Sequence, residues 1–256
     1  MKIHQVAAQL YTCRDLLKTP EDIARTLRRV RQIGYTAVQV SGMGPIPESE
    51  LVKILQGEGL VCCATHESGD LIRQNPQAVI DRLQKLNCKL TAYPYPSGVK
   101  MDSLESLNSL CHDLNRAGEL MAAAGITLTY HNHGIEFVKT NGVTALDYIY
   151  NHTNPRFLQG EPDTFWIHYG GGDNVEWCRK LNQRLPMMHL KDYGFTIENK
   201  HQFCEIGHGT LNFRAIIAAA EASGCQWFIV EQDTTPGDPI DSLKLSFDHI
   251  QAHLVS

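Results

Sequence analysis

The sequence predicts an α/β fold: a (β/α)8 TIM barrel forming a single domain over residues 1–256. Three observations carry the prediction. The length of 256 residues is what eight βα units need in order to close, about 250. Short β-like runs recur at intervals of roughly 25 to 40 residues, each followed by a stretch of helical period, the pattern of βαβ units and a parallel sheet. Polar, ligand-type residues stand at the ends of the third, fifth, sixth, seventh and eighth runs, and only a closed ring brings all those ends to one point.

The strand runs are Ile3–Leu10, Ala37–Val40, Leu60–Thr65, Lys89–Tyr93, Ile126–Tyr130, Phe157–Glu161, Pro186–Leu190 and Trp227–Val230. Between the fourth and fifth, Leu104, Leu107, Cys111, Leu114, Gly118 and Met121 step by three or four residues and form one apolar helical stripe. Gly125 follows as the expected C-terminal stop, and the next run begins at once. No Pro/Ser-rich linker divides the chain. A G-x-G-x-x-G or G-x-x-x-x-G-K-[ST] loop, which would favour an open doubly wound sheet, is absent from the sequence, and Gly170-Gly171-Gly172 is the one candidate for an anion cradle.

Composition narrows the function classes. The chain is 43% apolar, 20% charged and 8% aromatic, with a formal net charge of −5, so it can bury a large core and carries no overall basic footprint for nucleic acid. Arg25, Arg28, Arg29 and Arg31 cluster on the helix after Pro20, which reads as a solvated face. Nothing approaches the roughly 20 apolar residues of a membrane span, and Met1 leads directly into strand-like residues with no signal-peptide core. A cytoplasmic location is expected. The eight cysteines have no C-x-x-C pairing and read as reduced, structural side chains.

The chemistry lies at the strand ends. In the fifth run, Thr127, Thr129, His131 and His133 share one face, so two imidazoles emerge at the rim of the barrel with Glu136 close behind. Pro162 ends the sixth run and leaves Asp163 at the mouth. In the seventh, His189 and Lys191 share a face, and a buried lysine there requires an acidic partner or a wet mouth. The apolar run Trp227–Val230 breaks directly into Glu231, a carboxylate in need of a partner. Each of these residues has a plain alternative as a strand or turn cap. Taken together, Asp163, His189 and Glu231 make a mixed N/O donor set suited to one divalent ion, Mn2+, Co2+, Mg2+ or Zn2+.

Five stretches carry a family resemblance: Tyr130–Phe137, Glu161–Trp166, His189–Asp192, Glu205–Leu211 and Val230–Asp233. In this order and spacing they resemble the sugar phosphate isomerase/epimerase branch of the xylose isomerase-like TIM barrel superfamily. That superfamily also holds inosose and dehydroshikimate dehydratases and apurinic-site endonucleases. The resemblance implies an ion held by Asp163 on the sixth strand, His189 on the seventh and Glu231 on the eighth. At the fifth strand the sequence departs from the epimerase pattern, because His131 stands where an acid is expected; either His131 is the ligand or Glu136 reaches back.

The expected activity is isomerisation or epimerisation of a small sugar, keto-sugar or sugar phosphate, by α-proton abstraction through a metal-stabilised enediolate. Glu231 is the first candidate for the base, His133 or Glu136 for the second acid/base, and Lys191 for the cation near the oxyanion. His66, Tyr93 and Trp166 are candidate substrate contacts. A lyase of the inosose or dehydroshikimate dehydratase type is the alternative, favoured by His131 and His133, and a non-catalytic sugar-binding barrel is the alternative outside enzymes. The expected partner is a small carbohydrate, with no nucleic acid and no membrane; a homo-oligomer is compatible with the sequence.

Overall fold

The computed structural model describes residues 1–255. Among these, eight parallel strands ring one axis: β1 (Val6–Gln9), β2 (Ala37–Val40), β3 (Val61–His66), β4 (Leu90–Tyr93), β5 (Thr127–His131), β6 (Leu158–Glu161), β7 (Met187–Leu190) and β8 (Trp227–Val230). Pairing runs in sequence order from β1 to β6, and β1 also pairs with β8, which pairs with β7. The last seam, between β6 and β7, is a single parallel bridge from Asp163 to His189, with the His189 amide donating to Pro162 O at 2.9 Å. Pro162 has no N–H to extend a ladder. Two expected ion ligands are therefore the residues at which the ring closes.

Among the described residues ten helices wrap the ring: α1 (Pro20–Ile33), α2 (Glu48–Glu58), α3 (Gly69–Gln74), α4 (Pro76–Lys85), α5 (Leu104–Ala123), α6 (Ala145–Asn151), α7 (Thr164–Tyr169), α8 (Asn174–Lys180), α9 (Phe213–Ala222) and α10 (Pro239–His253). Side chains of Thr19, Ser103 and Asp163 cap α1, α5 and α7 by accepting an amide of the first turn. The first strand is shorter than its apolar run, because Leu10–Leu16 turns into 3-10 helix once the Gln9 side chain accepts the Tyr11 amide. Three of the four arginines of α1 pair at the surface, Arg25 with Asp22, Arg28 with Glu58 and Arg29 with Asp238. Among the described residues no helix is long and apolar enough to cross a membrane, and the eight cysteines are free and buried.

The interior of the ring is stratified. Its floor is built from small residues, Ala7, Ala37, Ala64 and Ala92, filled out by Met187 and Ile229. One step higher along the same faces stand Gln9, Gln39 and His66, then His131, Glu161, His189 and Glu231. Leu128 and Tyr130 of β5 face the helices and join the main core, as the period-two pattern predicts.

Helix α5 buries Leu107, Cys111, Leu114, Gly118 and Met121, while Leu104 at its start is 37% exposed. Gly118 is there for proximity: a Cβ at this position would lie 2.0 Å from Phe157 O. The substitution Gly118→Ala should thus cost about 1–3 kcal/mol despite alanine's better helix propensity. Urea unfolding checks this, and an unchanged or raised midpoint would contradict the close approach.

Candidate metal centre

The strand ends converge as a closed ring requires. His131, Asp163, His189 and Glu231 each offer a ligand atom, all within 4.8 Å of one another; His66, His131, Glu161 and His189 form a second, overlapping set of the same tightness. His189 Nδ1 lies 2.9 Å from Glu231 Oε2 and 3.8 Å from Asp163 Oδ2. Lys191 Nζ sits 2.9 Å from Asp163 Oδ2, 2.7 Å from Glu231 Oε2 and 3.1 Å from Asp233 Oδ1. Glu161 Oε2 is 2.7 Å from His66 Nε2 and 3.6 Å from His131 Nδ1. Glu161, Asp163, His189 and Lys191 are fully buried.

Burial on its own would neutralise these groups, and their neighbours decide otherwise. It pushes the Glu231 carboxyl up, but the Lys191 ammonium and the His189 ring override it and hold Glu231 well below the usual range. Glu161 is treated alike by His189 and His66, ending at about 2. Burial pulls His189 down, yet Glu161 and Glu231 raise it to about 10. Lys191 is raised in the same way, against burial, by Asp163, Glu231 and Asp233. His131 and His133 go the other way: burial and the surrounding cations depress both, His133 to about 3. Asp163 stays above its ordinary value because burial outweighs Lys191 and His189.

The donor set fits a divalent ion. Two imidazoles and two carboxylates supply the N/O mixture such ions take, and two polar atoms in this set, His131 Nδ1 and Asp163 Oδ2, are buried with no hydrogen-bond partner. Lys191 approaches Asp163 Oδ2 without forming one. The ligands would be His131, Asp163, His189 and Glu231.

Of the other residues expected at the site, His66 reaches it through Glu161, and half-buried His133 stands at its mouth, edge-on to His131 with ring centroids 5.0 Å apart. Trp166 borders the same mouth, 5.5 Å from the His133 ring and 5.8 Å from Lys191 Nζ. Two expectations are corrected. Glu136 does not reach the ligand cluster: it folds back on its own turn, accepting from the His133 amide at 2.8 Å and from the Tyr130 hydroxyl at 3.0 Å on the helix side of β5. Tyr93 likewise faces the helices, its ring 5.6 Å from Tyr130 and beneath α3. The Gly170–Gly172 turn also lies elsewhere; it packs on Phe137, whose ring a Cβ at Gly170 would meet at 2.3 Å.

The mouth opens on a cleft of about 210 Å³ whose walls include Glu231, Asp233, His66 and His133 together with Tyr11 and Tyr95. Tyr11, Tyr95, Glu161, Gln9, Gln39 and Asp233 are site residues that the sequence reading passed over. For Glu161 the signal was present: Gln159, Glu161 and Asp163 alternate on one face. The Glu205–Leu211 stretch has an anchoring role, since the Asp192 carboxylate accepts the amides of Gly207, Gly209 and Leu211 and so ties down the loop beyond β7.

A closed eight-stranded barrel with buried imidazoles and carboxylates gathered at the C-terminal rim is a TIM barrel whose mouth could hold a metal ion. The chain belongs to the xylose isomerase-like TIM barrel family, whose sequence profile matches residues 27–253. It is similar to the inosose dehydratase of Geobacillus thermodenitrificans, with 27% identity over 147 residues, covering 52% of this chain and 49% of that protein. It thus spans about half the length of that relative. With the inosose dehydratase of Salmonella typhimurium it shares 23% identity over 259 residues, covering 85% and 84%. In fold it is similar to a sugar phosphate isomerase/epimerase from Parabacteroides distasonis, with a TM-score of 0.82 at 21% identity, covering 98% and 95% of the two chains.

Glu136 gives the site's surroundings a pH signature. Burial raises its carboxyl from 4.5 to about 7, so between those values the folded protein binds a proton that the unfolded chain has released. Stability therefore falls as pH rises through that window, by at most about 3 kcal/mol. Glu136→Gln, which keeps the acceptor for the His133 amide, should remove the decline. Urea unfolding of both proteins at pH 5 and pH 8 tests this, and equal losses in the two would contradict it.

Proposed function

We propose that this protein is a divalent-metal-dependent lyase that dehydrates a small keto-polyol or keto-sugar, with Glu231 as the base. A divalent ion among His131, Asp163, His189 and Glu231 would supply Lewis acidity to a carbonyl oxygen and its neighbouring hydroxyl. Glu231 is kept ionised by Lys191 and His189 and lines the cleft. It takes the α-proton while Lys191, 2.7 Å from Glu231 Oε2, offsets the negative charge that develops on the substrate oxygen. The C–H electrons are held first in the enolate; as the carbonyl re-forms they move into the new Cα=Cβ bond while the β-C–O bond breaks, and the carboxyl of Glu231 returns its proton to the departing oxygen to form water.

The observation behind this reading is the asymmetry of the cleft. Glu231 and Asp233 stand together on the β8 wall, whereas the β3 and β5 wall presents His66, His131 and His133. Epimerisation requires a proton to leave one face of the substrate and return on the other. His133, depressed to about 3, is a weak base for that opposite face, while removal of a proton and a hydroxyl from one face needs a single carboxylate. The similarity to inosose dehydratases supports the same direction. Epimerisation with His133 as the second acid/base is the second reading, favoured by that ring's place at the mouth and by the fold-level likeness to an isomerase/epimerase.

The Mn2+-loaded protein, incubated in D2O with inososes, ketoses and 3-keto-sugars and followed by NMR, is expected to show α-deuterium exchange coupled to loss of a β-hydroxyl. Glu231→Gln should slow both by roughly 10²–10⁴-fold. Epimers without a dehydrated product would establish the second reading, and absence of exchange with every substrate would remove both.

A further inference from the structure

We infer that Gln39 is a positioning residue that dictates which nitrogen of His189 faces the ion; this rests on the ion lying among His131, Asp163, His189 and Glu231. Gln39 is fully buried on β2, away from the cleft walls, and it ends a chain of hydrogen bonds whose direction is set at both ends. At the start, the backbone N–H of Tyr11 can only donate, and it donates to Gln9 Oε1 at 3.2 Å. The Gln9 amide must then present its NH2 on the other side, where Nε2 lies 2.6 Å from Gln39 Oε1 and 3.4 Å from His66 Nδ1. At the far end, Gln39 Nε2 donates to Glu161 Oε1 at 2.6 Å, and an ionised carboxylate can only accept. Flipping either amide would set acceptor against acceptor or donor against donor, so one orientation satisfies the whole chain.

Two consequences follow for the imidazoles. Gln39 Oε1 lies 2.7 Å from His189 Nε2, with Glu161 Oε1 3.3 Å from the same nitrogen. Both oxygens accept, so Nε2 carries hydrogen, and Nδ1 is the atom directed at Glu231 and Asp163. His66 accepts from Gln9 at Nδ1 and donates from Nε2 to Glu161 Oε2 at 2.7 Å. With both nitrogens committed, His66 is withdrawn from ligation, which selects the His131–Asp163–His189–Glu231 set over the overlapping one. Outer partners that hold the second nitrogen of a ligating histidine typically contribute 10–100-fold to metal affinity.

The test uses the full chain, 15N-labelled in histidine and loaded with 113Cd2+. Long-range 1H–15N correlation is expected to show His189 with hydrogen on Nε2 and cadmium coupling at Nδ1; coupling at Nε2 would overturn the assignment whatever happens to any variant. In parallel, Gln39→Leu should bind Mn2+ about 10–100-fold more weakly in calorimetric titration and shift the visible ligand-field bands of bound Co2+, while circular dichroism stays native. Affinity and bands both equal to those of the unaltered protein would show that Gln39 does not position His189. If the unaltered protein binds none of these ions, the metal reading itself falls and takes this role with it.

Discussion

Three carboxylates, Glu161, Asp163 and Glu231, lie buried within a few ångströms of one another at the top of a closed ring, and the structure around them is organised by the need to balance that charge. Isolated anions in such a place would each cost several kcal/mol. Here the compensation comes from β7: His189 and Lys191, two residues apart on one inward face, touch Glu161, Asp163 and Glu231 between them. The same strand makes the final seam with β6 through the Asp163–His189 bridge. Ring closure and charge balance are thus one constraint, met by one pair of strand ends.

That constraint shapes the chemistry available at the mouth. A cation fixed beside Glu231 keeps its carboxylate ionised in a place where burial alone would protonate it. The alanine floor packs the lower interior closely, and the charged groups stand above it, around a cleft the size of one small ring. Anchoring of the post-β7 loop by Asp192 holds the rim that carries Lys191. Carboxylates on one wall and imidazoles on the other, with His131 and His133 depressed by burial, make a cleft whose two faces are chemically unlike, and the proposed elimination rests on that asymmetry.

Much of this was legible in the amino-acid sequence, because the signals were periodic. Alternation placed His131 inward and Tyr130 outward, paired His189 with Lys191, and isolated Glu231 at the end of an apolar run. Other residues were opaque for identifiable reasons. Pro162 marks the end of a strand, and that local rule obscured the alternation through which Glu161 joins Asp163. In β4 the inward face carries Leu90 and Ala92, so no contrast of polarity shows that Tyr93 points to the helices. Glu136 is five residues past the end of its strand and is recaptured by its own turn, a local hydrogen bond that strand periodicity cannot anticipate. Gln9 and Gln39 have neither charge nor ligand character, and their place in the site arises from partners distant in the chain, Gln39 and His66 for Gln9, Glu161 and His189 for Gln39.

Side chains from four strands are proposed to share one ion. The most direct test is a crystal of the Mn2+-soaked protein measured at the manganese absorption edge. One anomalous peak within bonding distance of ligand atoms from His131, Asp163, His189 and Glu231 is expected. A peak held instead by His66 and Glu161, or no peak at the barrel mouth in an Mn2+-saturated crystal, would contradict the account.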